Sequence, residues 1–276
     1  MSSQLELRPG QSLELLKELH ILTRDGKLNQ DSRRKLKQVY HLYQFIEPLL
    51  VEVMQARGAV RLVDHGAGKS YLGFILYDLF FKSAPGDSHI YGVETRDELV
   101  AKSRELASRL NFNGMSFLNL PVEQATTSSE IPSEVDVVTA LHACDTATDD
   151  AIRFALQKQA QFMVLVPCCQ AEVAAALRSD KAKALARGAL AELWRHPIHT
   201  REFGSHVTNV LRCLQLEAHG YRLNVTELVG WEHSMKNELI IARRGDQGNR
   251  QAAARLTEIL DMLGLAELKQ RFFVPA

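Results

Sequence analysis

Four short stretches of this 276-residue chain carry groups able to do chemistry. The first is Asp64-His65-Gly66-Ala67-Gly68-Lys69-Ser70-Tyr71-Leu72-Gly73. Glycine has no Cβ, so a turn built on it bends tightly and brings main-chain N–H groups close to a ligand. An apolar-periodic run follows (Leu72, Ile75, Leu76, Leu79, Phe80), and a helix there would aim its free N–H groups at whatever occupies the turn. The other three stretches are Leu141-His142-Ala143-Cys144-Asp145, Pro167-Cys168-Cys169-Gln170 and Met235-Lys236-Asn237. His142 suits a general base at neutral pH, and equally a hydrogen bond to a main-chain carbonyl. Lys236 and Asn237 face a substrate or end a loop.

Three ligand classes use a glycine turn of this kind. A triphosphate loop needs a glycine five residues before Gly68-Lys69-Ser70, and that position is Val63. A dinucleotide fingerprint counted from Gly66 and Gly68 puts its third glycine at the bulky Tyr71, with Gly73 two residues late. Asp-x-Gly-x-Gly remains. It resembles the first motif of class I S-adenosylmethionine (SAM) methyltransferases, in which close main-chain approach and a nearby acid replace phosphate binding. About thirty residues on, the length of one βαβ unit, His89-Ile90-Tyr91-Gly92-Val93-Glu94 reads as a strand ending in an acid. A carboxylate there can accept both hydroxyls of a ribose. The plainer reading is that Glu94 opens a solvated turn with Arg96 and Asp97.

Taken together, the glycine turn, the Leu-His-Ala-Cys stretch and the Pro-Cys-Cys-Gln stretch resemble one branch of class I methyltransferases. That branch holds methyltransferase-like proteins with this motif pair and, more distantly, the tRNA acceptor-stem 2′-O-methyltransferases. The resemblance spans residues 59–243. It implies SAM as cofactor. Asp64, Gly66 and Gly68, with His65 and Ala67 between them, would form the methionine-side loop. Glu94, followed by Thr95, would hold the ribose, and Leu141-His142 would lie against the cofactor. Adenine would fall near Leu120-Pro121-Val122-Glu123. Where the branch has glycine after the lysine of the first motif, this chain has Ser70, at a helix start where serine is comfortable.

The cysteines leave three readings open. Cys144, Cys168 and Cys169 with His142 offer four zinc ligands, but adjacent cysteines depart from the usual C-x₂₋₄-C spacing, so no metal is expected. RNA 5-methylcytosine methyltransferases place cysteines after strands four and five, and a thiol before a helix start is a better thiolate. The flanking residues here do not match that family. Packing beside the cofactor is the third reading.

The elements that must position these groups follow from periodicity. Residues 11–57 read as helices, with Pro48 expected to kink or divide the second, and Arg33-Arg34-Lys35 and Lys37 near its start on a solvated face or against an acidic substrate. From 59 to 243 strand and helix alternate, with strands at 60–64, 89–94, 116–119, 135–140, 162–167, 221–228 and 238–243. The last two are too close in sequence for a helical crossover. The expected fold is therefore α/β, a doubly wound, seven-stranded, mostly parallel sheet with an antiparallel last pair. Thr146 to Asp149 resembles a capping box, with acids offsetting the helix dipole. Arg250–Leu268 reads as a final helix after a short linker. The expected organisation is a helical extension (1–57), a SAM-binding domain (58–244) and a C-terminal helix packing on it (245–276).

Composition bounds the partners. The chain is 46% hydrophobic, with no run long enough to span a membrane and no secretory-type N-terminus, and its four cysteines make a poor disulfide framework. A cytoplasmic protein is expected. Zero formal net charge argues against a wholly basic nucleic-acid binder. Between Arg178 and Arg222, however, eight basic residues face four acidic ones, beside the expected substrate opening. That rim favours an RNA substrate, and a solvated helix is the alternative. The function expected is methyl transfer from SAM to a nucleophilic acceptor. Its rivals are a catalytically silent SAM-binding interaction protein and a Rossmann oxidoreductase. Acceptor atom and oligomeric state are not legible.

Overall fold

Apolar runs bounded by glycine or polar residues become strands within two residues of the expected spans. The computed structural model describes residues 7–8, 10–141, 143, 145–167, 170–179, 189–228 and 238–273. Its strands are β1 (Arg61–His65), β2 (His89–Glu94), β3 (Met115–Asn119), β4 (Val137–Leu141), β5 (Phe162–Val166), β6 (Tyr221–Glu227) and β7 (Glu238–Arg244). They form one sheet in the order β3-β2-β1-β4-β5-β7-β6. Pairing is parallel from β3 through to β5, while β7 runs antiparallel to both β5 and β6. β5 is buried along its whole length, as a continuous apolar run in a covered parallel sheet should be.

The described helices are α1 (Leu13–Glu18), α2 (Gln30–Arg57), α3 (Tyr71–Leu79), α4 (Asp97–Arg109), α5 (Val122–Thr127), α6 (Thr146–Gln157), α7 (Glu172–Ala176), α8 (Pro197–Ala218) and α9 (Arg250–Met262). One face of the sheet packs against α1, α2 and α3. Leu16, Ile46, Leu50 and Phe74 share a single core there with Leu62, Val137 and Val164. The other face buries Val63, Val138 and Met163 against Ile152 and Phe154 of α6. A third cluster joins α7, α8 and α9 through Val173, Leu211, Leu256 and Leu260. Asn249 starts α9 by accepting the N–H groups of Gln251 and Ala252 at 3.0 and 3.2 Å. No helix of the described residues is long and apolar enough to cross a membrane.

Pro48 does not divide its helix: α2 runs unbroken for 28 residues. Proline frees the carbonyl four residues earlier, here that of Gln44. Gln44 and Pro48 are both exposed, so the freed carbonyl lies on the solvent side, where water satisfies it.

The chain order reverses between β1 and β4, which go to opposite halves of the sheet. Open α/β sheets bind ligands beyond their strands' carboxyl ends at such a switch point. The glycine turn leaves β1 at that place.

Candidate active site

Along β1 the side chains alternate between faces, which separates Asp64 from His65. Asp64 lies opposite Thr139 of β4 and accepts its hydroxyl at 2.8 Å, with 2% of its surface exposed. Burial pushes its carboxyl up to about 6, against the pull of Thr139 and the Gly73 N–H. His65 turns to the other face, 5.6 Å from the ring of Phe154. Among the described residues neither of its ring nitrogens has a hydrogen-bond partner. Burial lowers it to about 4 despite the charge of Glu94, so its imidazole is neutral.

Beyond β1 the main chain does the positioning. Gly66 and Gly68 have φ of +67° and +58°, where a side chain strains the backbone. The Ala67 N–H donates to Val93 O at 3.0 Å, and the Gly68 N–H donates to Glu94 Oε2 at 2.8 Å. Both bonds pin the loop to the end of β2. Ser70 departs from its expected role. It stands at the start of α3 without a side-chain cap, at φ +51°, in the left-handed region that the branch's usual glycine suits. A Cβ on Gly73 would lie 2.6 Å from Ser70 Oγ, so this glycine lets α3 close on the loop. The bulky Tyr71 is accommodated by turning away, its hydroxyl donating to Leu19 O at 2.6 Å.

Glu94 is 7% exposed and heavily bonded. Oε1 accepts the N–H groups of Thr95 and Arg96 at 3.0 and 3.1 Å and Arg96 Nε at 3.0 Å. Oε2 accepts Arg96 Nη2 at 3.1 Å beside the Gly68 N–H. Burial alone would raise this carboxyl, but the Arg96 guanidinium and the surrounding N–H groups outweigh it and hold it at about 2. The acid thus bonds the turn into α4, while its carboxylate stays against the glycine loop. Thr95 is exposed beside it, Leu141 is half-buried at the end of β4, and Val122 opens α5.

His142, Cys144, Cys168, Cys169, Lys236 and Asn237 all lie outside the described residues. At the far half of the same edge the described residues form a polar network the sequence did not announce. Asp145 sits at φ +50° and ψ −119°, and its carboxylate accepts the N–H groups of Ala171 and Glu172 at 2.9 and 3.3 Å. Asp149 forms no capping box. Its two oxygens accept Arg212 Nε and Nη2 of α8 at 2.7 and 2.8 Å, and Arg212 is fully buried. Arg212 also donates to Asp145 O and to Asn209 Oδ1. Asn209 in turn accepts from Gln170 Nε2 at 3.2 Å and donates to Glu238 at 2.7 Å, while Ser205 donates to Gln170 at 2.6 Å. The available signal was a polar stripe on α8. Ser205, Thr208, Asn209, Arg212 and Gln215 recur at helical spacing and are all buried.

Beside this network lies a cleft of about 360 Å³, walled by Pro167, Gln170 and Asn209 and carrying Glu202, Glu227 and Glu238. Of the expected basic rim, Lys181, Lys183 and Arg187 lie outside the described residues, and Arg195, Arg201, Arg212 and Arg222 do not share one surface. Arg212 is buried, and Arg222 pairs with Arg243 at the opposite edge of the sheet. Arg195 and Arg201 are matched by Glu192 and Glu202 at 3.2 and 2.9 Å. Among the described residues no group of His, Cys, Asp or Glu is placed to hold a metal, and the four residues weighed as zinc ligands are outside that set.

Seven strands with β7 inserted antiparallel between β5 and β6 are the architecture of a class I, Rossmann-like methyltransferase. The chain matches the model of a methyltransferase-domain family over residues 34–176 and belongs to that family. It is 24% identical over 147 residues to the glutathione S-transferase C-terminal domain-containing proteins of Mus musculus and Homo sapiens. That match covers 53% of this chain and 20% of theirs, so the chain spans about a fifth of the length of these curated relatives. Among solved structures, a putative O-methyltransferase from Klebsiella pneumoniae shares the fold at 12% identity and a TM-score of 0.52, over 88% of this chain and 93% of that one. Magnesium protoporphyrin IX methyltransferase from Synechocystis PCC 6803, with bound SAH, is also similar: 12% identity, TM-score 0.45, 84% and 93% covered.

Proposed function

We propose that this chain transfers a methyl group from SAM to a nucleophilic acceptor. One observation carries the reading: the Glu94 carboxylate is held at the end of β2 and bonded to the N–H of Gly68, at the switch point of a methyltransferase sheet. The residues fit SAM. Two glycines at positive φ bare the main chain, an acid faces that bared turn, and no phosphate-sized basic cradle is needed. When bound, SAM supplies an electrophilic methyl group on its sulfonium. Glu94 would accept the ribose hydroxyls, Gly66 to Gly68 would line the methionine side, and Asp64 would brace that loop from below through Thr139. His65, neutral and buried, packs beneath the turn. Catalysis then comes chiefly from alignment of the acceptor and exclusion of water.

For the acceptor, RNA is the finer reading. The glutamates of the cleft repel phosphates but accept hydrogen bonds from amino groups such as those on base edges. An RNA would therefore enter by a base, its phosphates remaining outside the cleft. His142, the cysteines, Lys236 and Asn237 stay candidates for the transfer step. The test is incubation with radiolabelled SAM and RNA or protein from cells lacking this chain, followed by nucleoside and peptide mass spectrometry. Label in RNA above a Glu94→Ala control supports the full reading. Label in protein alone removes RNA, and SAM binding without label removes catalysis and leaves a scaffold.

A further inference from the structure

We propose that Arg96 is a latch on the cofactor site, holding the Glu94 carboxylate until a ribose takes its place. The inference rests on the SAM reading above. A carboxylate offers about four lone-pair positions. Five donors within 3.1 Å already surround this one: the N–H groups of Gly68, Thr95 and Arg96, and Nε and Nη2 of Arg96. A ribose diol brings two more donors, so at least two of the present five must leave if the crowding is not to grow. Three of the five belong to the main chain of the glycine turn and of the turn into α4, and they cannot withdraw without moving the backbone. The guanidinium can.

Its placement matches that role. Arg96 spans both oxygens of Glu94, as a diol would. Its Nη2 lies 3.7 Å from where a Cβ on Gly68 would be, so it covers the space which that glycine keeps open. The two partners differ in what departure does to them. The Arg96 side chain is 59% exposed and water solvates it on release, whereas the Glu94 side chain is 8% exposed and must be given new donors at once. Ribose hydroxyls provide them. The latch therefore lowers the fraction of binding-competent chain and weakens apparent affinity by that fraction.

Calorimetry of the full chain with SAH tests this. Removing this ion pair, exposed on its Arg96 side, should tighten binding about two- to fivefold in Arg96→Ala and Arg96→Gln. Added salt, which screens the pair, should raise wild-type affinity toward that of the variants and leave theirs nearly unchanged. Equal or weaker binding by both variants, with the wild type binding SAH, would overturn the latch while leaving the SAM reading intact. No heat from any of the three would overturn both.

Discussion

The carboxyl edge of the sheet is built in two different ways. At β1 and β2 the main chain shapes the site, with two glycines at positive φ and one carboxylate pinning them. At β4, β5 and β7 side chains do so, and they come from distant segments: Arg212 and Asp149 are 63 residues apart, Asn209 and Glu238 are 29 apart. The first half depends on local backbone geometry. The second depends on every member of a buried network keeping its partner, because an orphaned polar group in a low dielectric is costly.

Breaking each half should therefore produce a different kind of damage. The largest effect is expected for Arg212→Leu, which leaves the Asp149 carboxylate buried and unpaired. About 3–5 kcal/mol of stability should be lost, read as a lower urea midpoint, and Asp149→Leu combined with Arg212→Met should recover most of it. Glu94→Gln should instead lower the urea midpoint by less than Arg212→Leu does and weaken SAH binding at least about tenfold, since bonds to a charged acceptor are the strong ones. Loss of folding with Glu94→Gln, or a harmless Arg212→Leu, would erase the contrast between the halves.

A subtler effect lies in β1. Asp64 titrates at about 6 in the folded chain and near 3.8 when unfolded. The unfolded chain thus gives up its proton first, and this residue's contribution to stability falls as pH rises from 4 to 6. His65 titrates at about 4 when folded against 6.5. Here the unfolded chain holds the extra proton, so its contribution rises from pH 4 to 6.5. The two slopes oppose each other, each worth up to about 3 kcal/mol. Urea unfolding at pH 4.5 and 7 should show little net change from this pair in the wild type. His65→Leu should be more stable at pH 4.5 than at 7 and Asp64→Asn the reverse. Smallest of all, Ser70→Gly relieves a positive φ at the cost of a freer unfolded chain, and the urea midpoint should move by no more than about 1 kcal/mol, toward stability.

The same contrast explains what could be read in advance. The strands were legible because a buried parallel strand is a bounded apolar run, and Phe162 to Val166 is one. The glycine loop and Glu94 were legible because their relation lies within one βαβ unit. Arg212 was not, because a formal charge in a list of charges looks the same on a rim as in a core. Its burial is decided by Asp149, which is distant in sequence and was itself read as a cap. Ser70 misled for a different reason: residue type at a helix start says nothing about the sign of φ. Pro48 misled because breaking a helix depends on whether the freed carbonyl faces water, a property of tertiary packing.

Asp145 joins what the chain keeps apart. Its carbonyl is bound by Arg212 and its carboxylate by the first N–H groups around α7, while its own backbone sits where an L-residue is rarely found. The chain just after β4 and the chain entering α7 thus share one rivet, and loosening Asp145 would release both together.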